Sequence, residues 1–334
     1  MLTEPKNKSE KMTDCLTRQY GIQAKSITFM PLGADANTIV YKVESNKGEM
    51  YLLKIRTDNF DETSVLIPHY LHEQKVEHII TPVLTEDLQP YYFDGIDYLT
   101  VYPFIDTLKI TETEFTDDNK VVLGALMKKI HRLKIPNSIK SKINKYEFSS
   151  KWAERLVHAI DKIQKTTFND QLTIELVQFI KEKDYVIRSL INYSQELTGE
   201  PCLVSDEFVL CHGDLHFWNL ITDKNNYFYL IDWDTVILAP KERDLMFIGS
   251  KIDNLWNTSQ DIDLFYEGYG MTDINKSVQD YFRADRIIED LVIMCDSICF
   301  SNISEEDKLK TLGFFKANFK ANNTIEAVLG EKLG

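Results

Sequence analysis

Between residues 210 and 234 the chain carries oxygen-bearing side chains at spacings that suit phosphoryl chemistry. The run Leu210-Cys211-His212-Gly213-Asp214-Leu215-His216-Phe217-Trp218-Asn219-Leu220 sets an acid and an amide five residues apart, in what reads as a loop. Shortly after it, an apolar stretch at 227–231 ends abruptly in Asp232-Trp233-Asp234. An apolar strand that delivers an acid at its C-terminal end presents that acid rigidly. Magnesium takes oxygen ligands, often one or two carboxylates plus substrate phosphates. Asn219 and Asp232 would supply two such oxygens, and Asp214 would orient or deprotonate a substrate hydroxyl. The plainer alternative is a His-Gly-Asp turn and a strand ending in solvated acids. It requires three polar residue types to fall at this spacing by coincidence.

The pattern His-x-Asp-x-x-x-x-Asn, then apolar-Asp, resembles the catalytic and metal segments of the aminoglycoside phosphotransferase family, relatives of the protein kinases. Two departures from the protein kinases point to the small-molecule branch. Gly213 stands where they carry Arg, and Asp232-Trp233-Asp234 replaces Asp-Phe-Gly. Residues 33–37, 102–105, 238–249 and 265–270 are also similar to the branch that acts on spectinomycin. The resemblance runs from about residue 20 to 300 and is weakest across 111–205. It implies an α+β, protein-kinase-like bilobal fold. A small N-lobe, an antiparallel β-sheet plus helix, would span 1–103, and a larger, mainly α-helical C-lobe would span 104–334. The family's catalytic Asp falls on Asp214, its metal ligands on Asn219 and Asp232, and its nucleotide lysine on Lys54.

Local patterns supply the elements that must hold these residues. A helix over 12–21 stops at Gly21, a natural C-cap. Strands follow at 22–32, 39–43 and 50–55, with a small-residue turn at 33–38 and a hairpin at 45–48. In a kinase-like N-lobe the turn at Gly33 would sit over the nucleotide phosphates, where backbone N–H groups approach anions closely. Lys54 lies among Tyr51, Leu52, Leu53 and Ile55, so it points either out to solvent or in to phosphates, and the downstream motif favours phosphates. An inward Lys needs a carboxylate partner. Glu62, at the start of a helical stretch 62–72, is the first choice and Glu73 the second. Pro68 would kink or end that helix. Further strands are expected at 76–84, 89–93 and 98–102. The last runs into Pro103 and Ile105, where adenine would lie, and Pro103 has no N–H, so the backbone donor would be Ile105. Helices are expected at 120–133, 149–165, 171–197 and 281–300. Asp244 is expected to anchor the catalytic loop by hydrogen bonding.

Composition excludes several classes. The 334 residues fit two lobes rather than one small core. At 43% hydrophobic the chain is not disordered. Lys and Arg number 38 against 52 Asp and Glu, a net charge of -14, which disfavours nucleic acid and suits a cationic small molecule. Five cysteines without a CxxC pair argue against a disulfide framework or zinc site and for a reducing, cytoplasmic setting. The polar start lacks a signal-type segment, and no run reaches membrane-spanning length.

The resemblance therefore implies an ATP-dependent O-phosphotransferase, with GTP the alternative nucleotide and Mg2+ the metal. The acceptor would be a small cationic hydroxylated molecule, an aminoglycoside or aminocyclitol antibiotic with spectinomycin first, and the activity would confer resistance. Asp234, Asp35 and Glu267 are candidate acids for its amines. No nucleic acid or membrane partner is expected, and a monomer is favoured. The alternatives are a kinase of choline, homoserine or a sugar, and a non-catalytic nucleotide-binding pseudokinase. Retention of Lys54, Asp214, Asn219 and Asp232 together argues against the last.

Overall fold

A computed structural model describes residues 9–31, 37–58, 60–108, 115–199, 207–250, 252, 256, 258–320 and 323–330. The chain opens with α1 (Ser9–Tyr20), β1 (Ala24–Met30), β2 (Thr38–Ser45), β3 (Met50–Arg56) and α2 (Thr63–Glu73). Next come β4 (Tyr92–Phe93), β5 (Tyr98–Pro103), β6 (Thr107–Leu108), α3 (Asp117–His131), α4 (Asn137–Lys140), α5 (Lys151–Lys165), α6 (Gln171–Glu182) and α7 (Asp184–Thr198). The remainder is β7 (Val209–Cys211), β8 (Leu220–Asp223), β9 (Phe228–Leu230), β10 (Ile237–Ala239), α8 (Glu242–Leu245), α9 (Ser259–Tyr269), α10 (Lys276–Phe300), α11 (Glu305–Ala317) and α12 (Thr324–Leu329). Two compact units result: residues 1–144 with 218–236, and 145–217 with 237–334. The expected lobe boundary at 103 falls inside the first unit, at the end of β5.

The first unit is built on an antiparallel sheet in the order β1-β2-β3-β5-β4. Successive strand residues point to opposite faces. On β3, Leu53 and Ile55 therefore join the core beneath α1, with Met12, Leu16 and Tyr20 at helical spacing. Leu52, Lys54 and Arg56 share the other face. The Tyr20 hydroxyl donates to Leu99 O at 2.7 Å, and Gly21 at φ +65 turns the chain from α1 into β1. A second sheet, β6-β8-β9, completes the unit.

Two expectations for this unit change. Pro68 lies inside α2 without ending it, and the helix runs on to Glu73. Residues 76–84 do not form a regular strand: only isolated bridges occur, Ile79 to Leu230 and Val83 to Val101. Lys75 and His78 hold positive φ, at 56 and 63, which breaks an extended run at its start.

The second unit is mainly helical. The 25-residue α10 runs through its core, and Ala284, Ile287, Ile288, Leu291 and Cys295 pack against Leu156, Ile160, Leu190 and Phe315. α10 begins earlier than expected because Asn275 caps it, accepting from Val278 N. The stretch expected as one helix over 171–197 is two. Lys183, at φ -99 and ψ 9, leaves the helical line, and Asp184 starts α7 with an ion pair to Arg188. Strands β7 and β10 pair antiparallel. Among the described residues no helix is long and apolar enough to cross a membrane.

Candidate active site

The His-Gly-Asp segment leaves β7 in the second unit. Because β10 pairs with β7, the short α8 that follows β10 returns beneath it, carrying Asp244. Asp244 is fully buried, and it accepts from His212 N at 3.0 Å and Gly213 N at 2.8 Å. A buried carboxylate is tolerable only when hydrogen-bonded, and two backbone donors meet that condition. The anchoring role expected for Asp244 is what the structure displays. Gly213 sits at φ +85, a region L side chains rarely adopt, and this bend carries the chain to Asp214.

Each oxygen of Asp214 has its own holder. Arg286 Nη1 lies 2.7 Å from Oδ1, and His216 Nε2 lies 3.1 Å from Oδ2. Burial pushes the Asp214 carboxyl upward, but the His216 hydrogen bond and the charges of Arg286, His216 and His212 outweigh it. The carboxyl is held well below the usual carboxylate range, so it is ionised at any ordinary pH.

On the same helix as Arg286 the acids shift the other way. Burial raises Glu289 and Asp290, and it pushes Asp285 up to about 7. The Tyr146 hydroxyl donates to Asp285 Oδ2 at 3.0 Å, whereas Asp285 Oδ1 is buried without a partner.

The first unit assembles the other expected residues. Strands β8 and β9 pair Leu220 with Leu230, so Asn219 and Ile231 meet, and Ile231 N donates to Asn219 O at 2.9 Å. Asp232 follows at φ 66 and ψ 65. A left-handed Asp is uncommon and tends to mark a position held for function. Asn219 and Asp232 offer an amide oxygen and a carboxylate, a hard all-oxygen set that suits magnesium rather than a soft metal. Asp234 forms a two-pronged pair with Arg56, Nη1 to Oδ1 at 3.2 Å and Nη2 to Oδ2 at 2.6 Å. Burial raises Asp234, but the hydrogen bond and charge of Arg56 and the charge of Lys54 lower it further.

Lys54, Asp232 and Asp234 line one end of a cavity of about 270 Å³, whose opposite walls are apolar: Leu52, Phe104 and Ile221 among them. Pro103 and Ile105 also line it. The Phe104 N–H is already bonded to Met50 O at 3.0 Å. A charged end and an apolar slot match a nucleotide's phosphates and base.

Glu62 requires a correction. It pairs with Lys142 at 2.9 Å, not with Lys54, because it stands just ahead of the first turn of α2 and reaches across to the segment after α4. The second choice, Glu73, pairs with His69 at 3.6 Å. The charge of Lys54 acts on Asp234. Glu267 is on the exposed face of α9, opposite the buried Phe265 and Tyr269. Gly33 and Asp35 lie outside the described residues. Arg56, His216, Arg286, Glu289 and Asp290 were not anticipated. The available signal was charge at i, i+3 and i+4 (286, 289, 290), which share the face of α10 opposite its apolar stripe.

The sequence profile of the phosphotransferase enzyme family (APH) matches residues 30–276. The chain belongs to this family. It is thus a phosphotransferase with the protein-kinase-like α+β fold. Among solved structures it is similar to spectinomycin phosphotransferase in complex with ADP and spectinomycin, at 30% identity and a TM-score of 0.88, over 98% of this chain and 99% of that one. The AMP-bound form of spectinomycin phosphotransferase gives 29% identity and 0.82, over 97% and 98%. Amicoumacin kinase, solved with AMP-PNP, Ca2+ and Ami, shares the fold at 16% identity and 0.62, over 95% and 94%. Among curated protein sequences there is no significant match. These similar phosphotransferases hold nucleotides, which accords with the half-charged cavity described above.

Two measurements check the electrostatics. Asp244→Ala strands two buried N–H groups, and urea denaturation is expected to show a loss of about 3 kcal/mol, with Asp244→Asn losing roughly half as much. The folded-state value of Asp285 is raised to about 7, so its contribution to stability is full below the unfolded value and is lost as pH rises through about 7. Asp285→Asn should therefore raise Tm at about pH 8 and change it little at about pH 4. A lower Tm at the higher pH contradicts this reading.

Proposed function

We propose that this phosphotransferase moves the γ-phosphoryl group of ATP to a hydroxyl of an aminoglycoside or aminocyclitol antibiotic, spectinomycin first, and so confers resistance. The observation that carries the reading is the state of Asp214: a carboxylate held ionised, with each oxygen fixed, in a family whose reaction needs an oriented hydroxyl. The substrate class draws support from the similarity to spectinomycin phosphotransferase across 98% of this chain. The acidic chain, at -14, suits an acceptor that carries amines.

The roles divide between the units. In the first, the apolar walls of the cavity take the base, and Lys54 takes phosphate oxygens at the charged end. Asn219 and Asp232 would hold Mg2+, which when bound neutralises charge on the phosphates. Asp234, engaged by Arg56, holds the charged end of the cavity in shape instead of meeting acceptor amines directly. In the second unit, Asp214 accepts the hydrogen bond of the acceptor hydroxyl and aims its oxygen at phosphorus. The acceptor oxygen forms the new P–O bond as the bond to the β-phosphate oxygen breaks. ADP leaves with that electron pair, and the hydroxyl proton passes to Asp214 or solvent. The transition state is loose, so orientation matters more than the basicity of Asp214. Glu289 is the acid on hand for an acceptor amine in this unit: burial raises its carboxyl, and an ammonium ion beside it would favour the ionised form.

The test is ADP release with MgATP and a panel of spectinomycin, streptomycin, choline, ethanolamine, homoserine and glucose. Release with spectinomycin is expected, and release only with choline or a sugar overturns the antibiotic reading. Asp214→Asn is expected to lower kcat by about 10²–10⁴-fold with the KM for ATP nearly unchanged. Near-normal turnover in that variant removes Asp214 from the mechanism.

A further inference from the structure

Arg286 lies 72 residues from Asp214 in sequence, yet its Nη1 reaches Oδ1 at 2.7 Å. The same guanidinium is held from behind. Its Nε lies 3.2 Å from Asp290 Oδ1 and 3.3 Å from Oδ2, one turn further along α10. A guanidinium is a planar, rigid fork, so fixing Nε against a helix residue fixes the direction in which Nη1 points. α10 is itself immobilised by its apolar stripe in the core of the second unit. On the far side of the carboxylate, His216 takes Oδ2 at 3.1 Å. A carboxylate held by one oxygen still rotates about its Cβ–Cγ bond, whereas separate holders on the two oxygens set its plane. The Arg286 and Asp214 side chains are only 20% and 18% exposed, so solvent does little to screen the pair.

We propose that Arg286, fixed by Asp290, is a positioning residue for phosphoryl transfer: it holds Oδ1 of Asp214 while His216 holds Oδ2, so that an ionised carboxylate meets the acceptor hydroxyl in one orientation. This rests on the phosphotransferase reading above. Among the described residues, the charged and titratable groups that act on or beside Asp214 include His212 and His216 from its own loop, and Arg286, Glu289 and Asp290 from α10. Arg286 is the member of this set whose charge does not depend on pH. Without it, Asp214 is left buried beside two other acids and loses the guanidinium that opposes protonation. A protonated Asp214 cannot accept the hydroxyl's hydrogen bond, and a carboxyl free to rotate aims it poorly.

The full chain carrying Arg286→Gln, Arg286→Lys or Asp290→Asn tests this by two readouts. The first is the carboxyl 13C signal of aspartate-labelled protein, with Asp214 assigned by its loss in Asp214→Asn. In the parent that signal should not titrate between about pH 5 and 8, in Arg286→Gln it should, and in Arg286→Lys it should stay close to the parent. The second is turnover of MgATP with spectinomycin. Arg286→Gln should lower kcat at least about 30-fold with the KM for ATP within about twofold, and Arg286→Lys should restore about tenfold of that loss. Asp290→Asn should lower kcat by about threefold to tenfold, because Arg286 keeps its charge but loses its brace. An unchanged Asp214 signal in Arg286→Gln overturns the proposal. So does a fall in kcat that Lys does not rescue and that a raised ATP KM accompanies. The carboxyl readout needs no turnover, so a parent inactive with spectinomycin counts against the proposed acceptor and leaves this inference to be decided by the titration. If Arg286→Gln does not fold, Arg286→Lys and Asp290→Asn decide it: kcat equal to the parent in both overturns it.

Discussion

Two backbone N–H groups pointing at one buried carboxylate hold the His212–Asp214 segment of this phosphotransferase in place. His212 and Gly213 donate to Asp244, which sits at zero exposure on α8. Everything downstream of that contact follows from it. The segment cannot relax into a different turn without stranding a buried charge, and the loss would be several kcal/mol. Gly213 is then obliged to take the left-handed conformation that delivers Asp214 to Arg286 and His216. A loop residue acquires the rigidity of a core residue, as a side chain that must orient a hydroxyl requires.

Acids on and against one long helix are shifted in opposite directions. Asp214 is kept ionised because Arg286 on α10 meets it directly. Asp285, Glu289 and Asp290 on that same helix are pushed toward the neutral form, because burial acts on each of them with less cationic compensation. Acids whose environments drive them apart in this way can take separate roles within one region. The acid held ionised suits an acceptor hydroxyl.

What the sequence made legible was whatever it concentrates locally. The His212-to-Asn219 spacing, the apolar run into Asp232, and Lys54 alternating with Leu53 and Ile55 are all short-range patterns, and each appears on the expected kind of element. The anchoring acid Asp244, 31 and 32 residues from the N–H groups it accepts from, was expected through the family resemblance and not from its neighbours. What escaped was pairing over distance. Nothing in the residues around position 62 announces that Lys142 claims Glu62, and nothing near Asp214 announces Arg286. Breaks set by a single backbone conformation also escaped. Lys183 divides α6 from α7, and the positive φ of Lys75 and His78 denies residues 76–84 a strand, although side-chain periodicity continues through both places. Periodicity reports which face is buried and is silent about a residue that leaves the helical or extended region.

The central claim is a division of labour, with Lys54 and Asp232 serving the nucleotide and Asp214 serving the acceptor. Calorimetric titration of MgATP into the parent chain, Asp232→Ala and Asp214→Asn measures it most directly. The account predicts that Asp232→Ala abolishes metal-dependent ATP binding while Asp214→Asn binds within about twofold of the parent. Unchanged affinity in Asp232→Ala, or its collapse in Asp214→Asn, would contradict it.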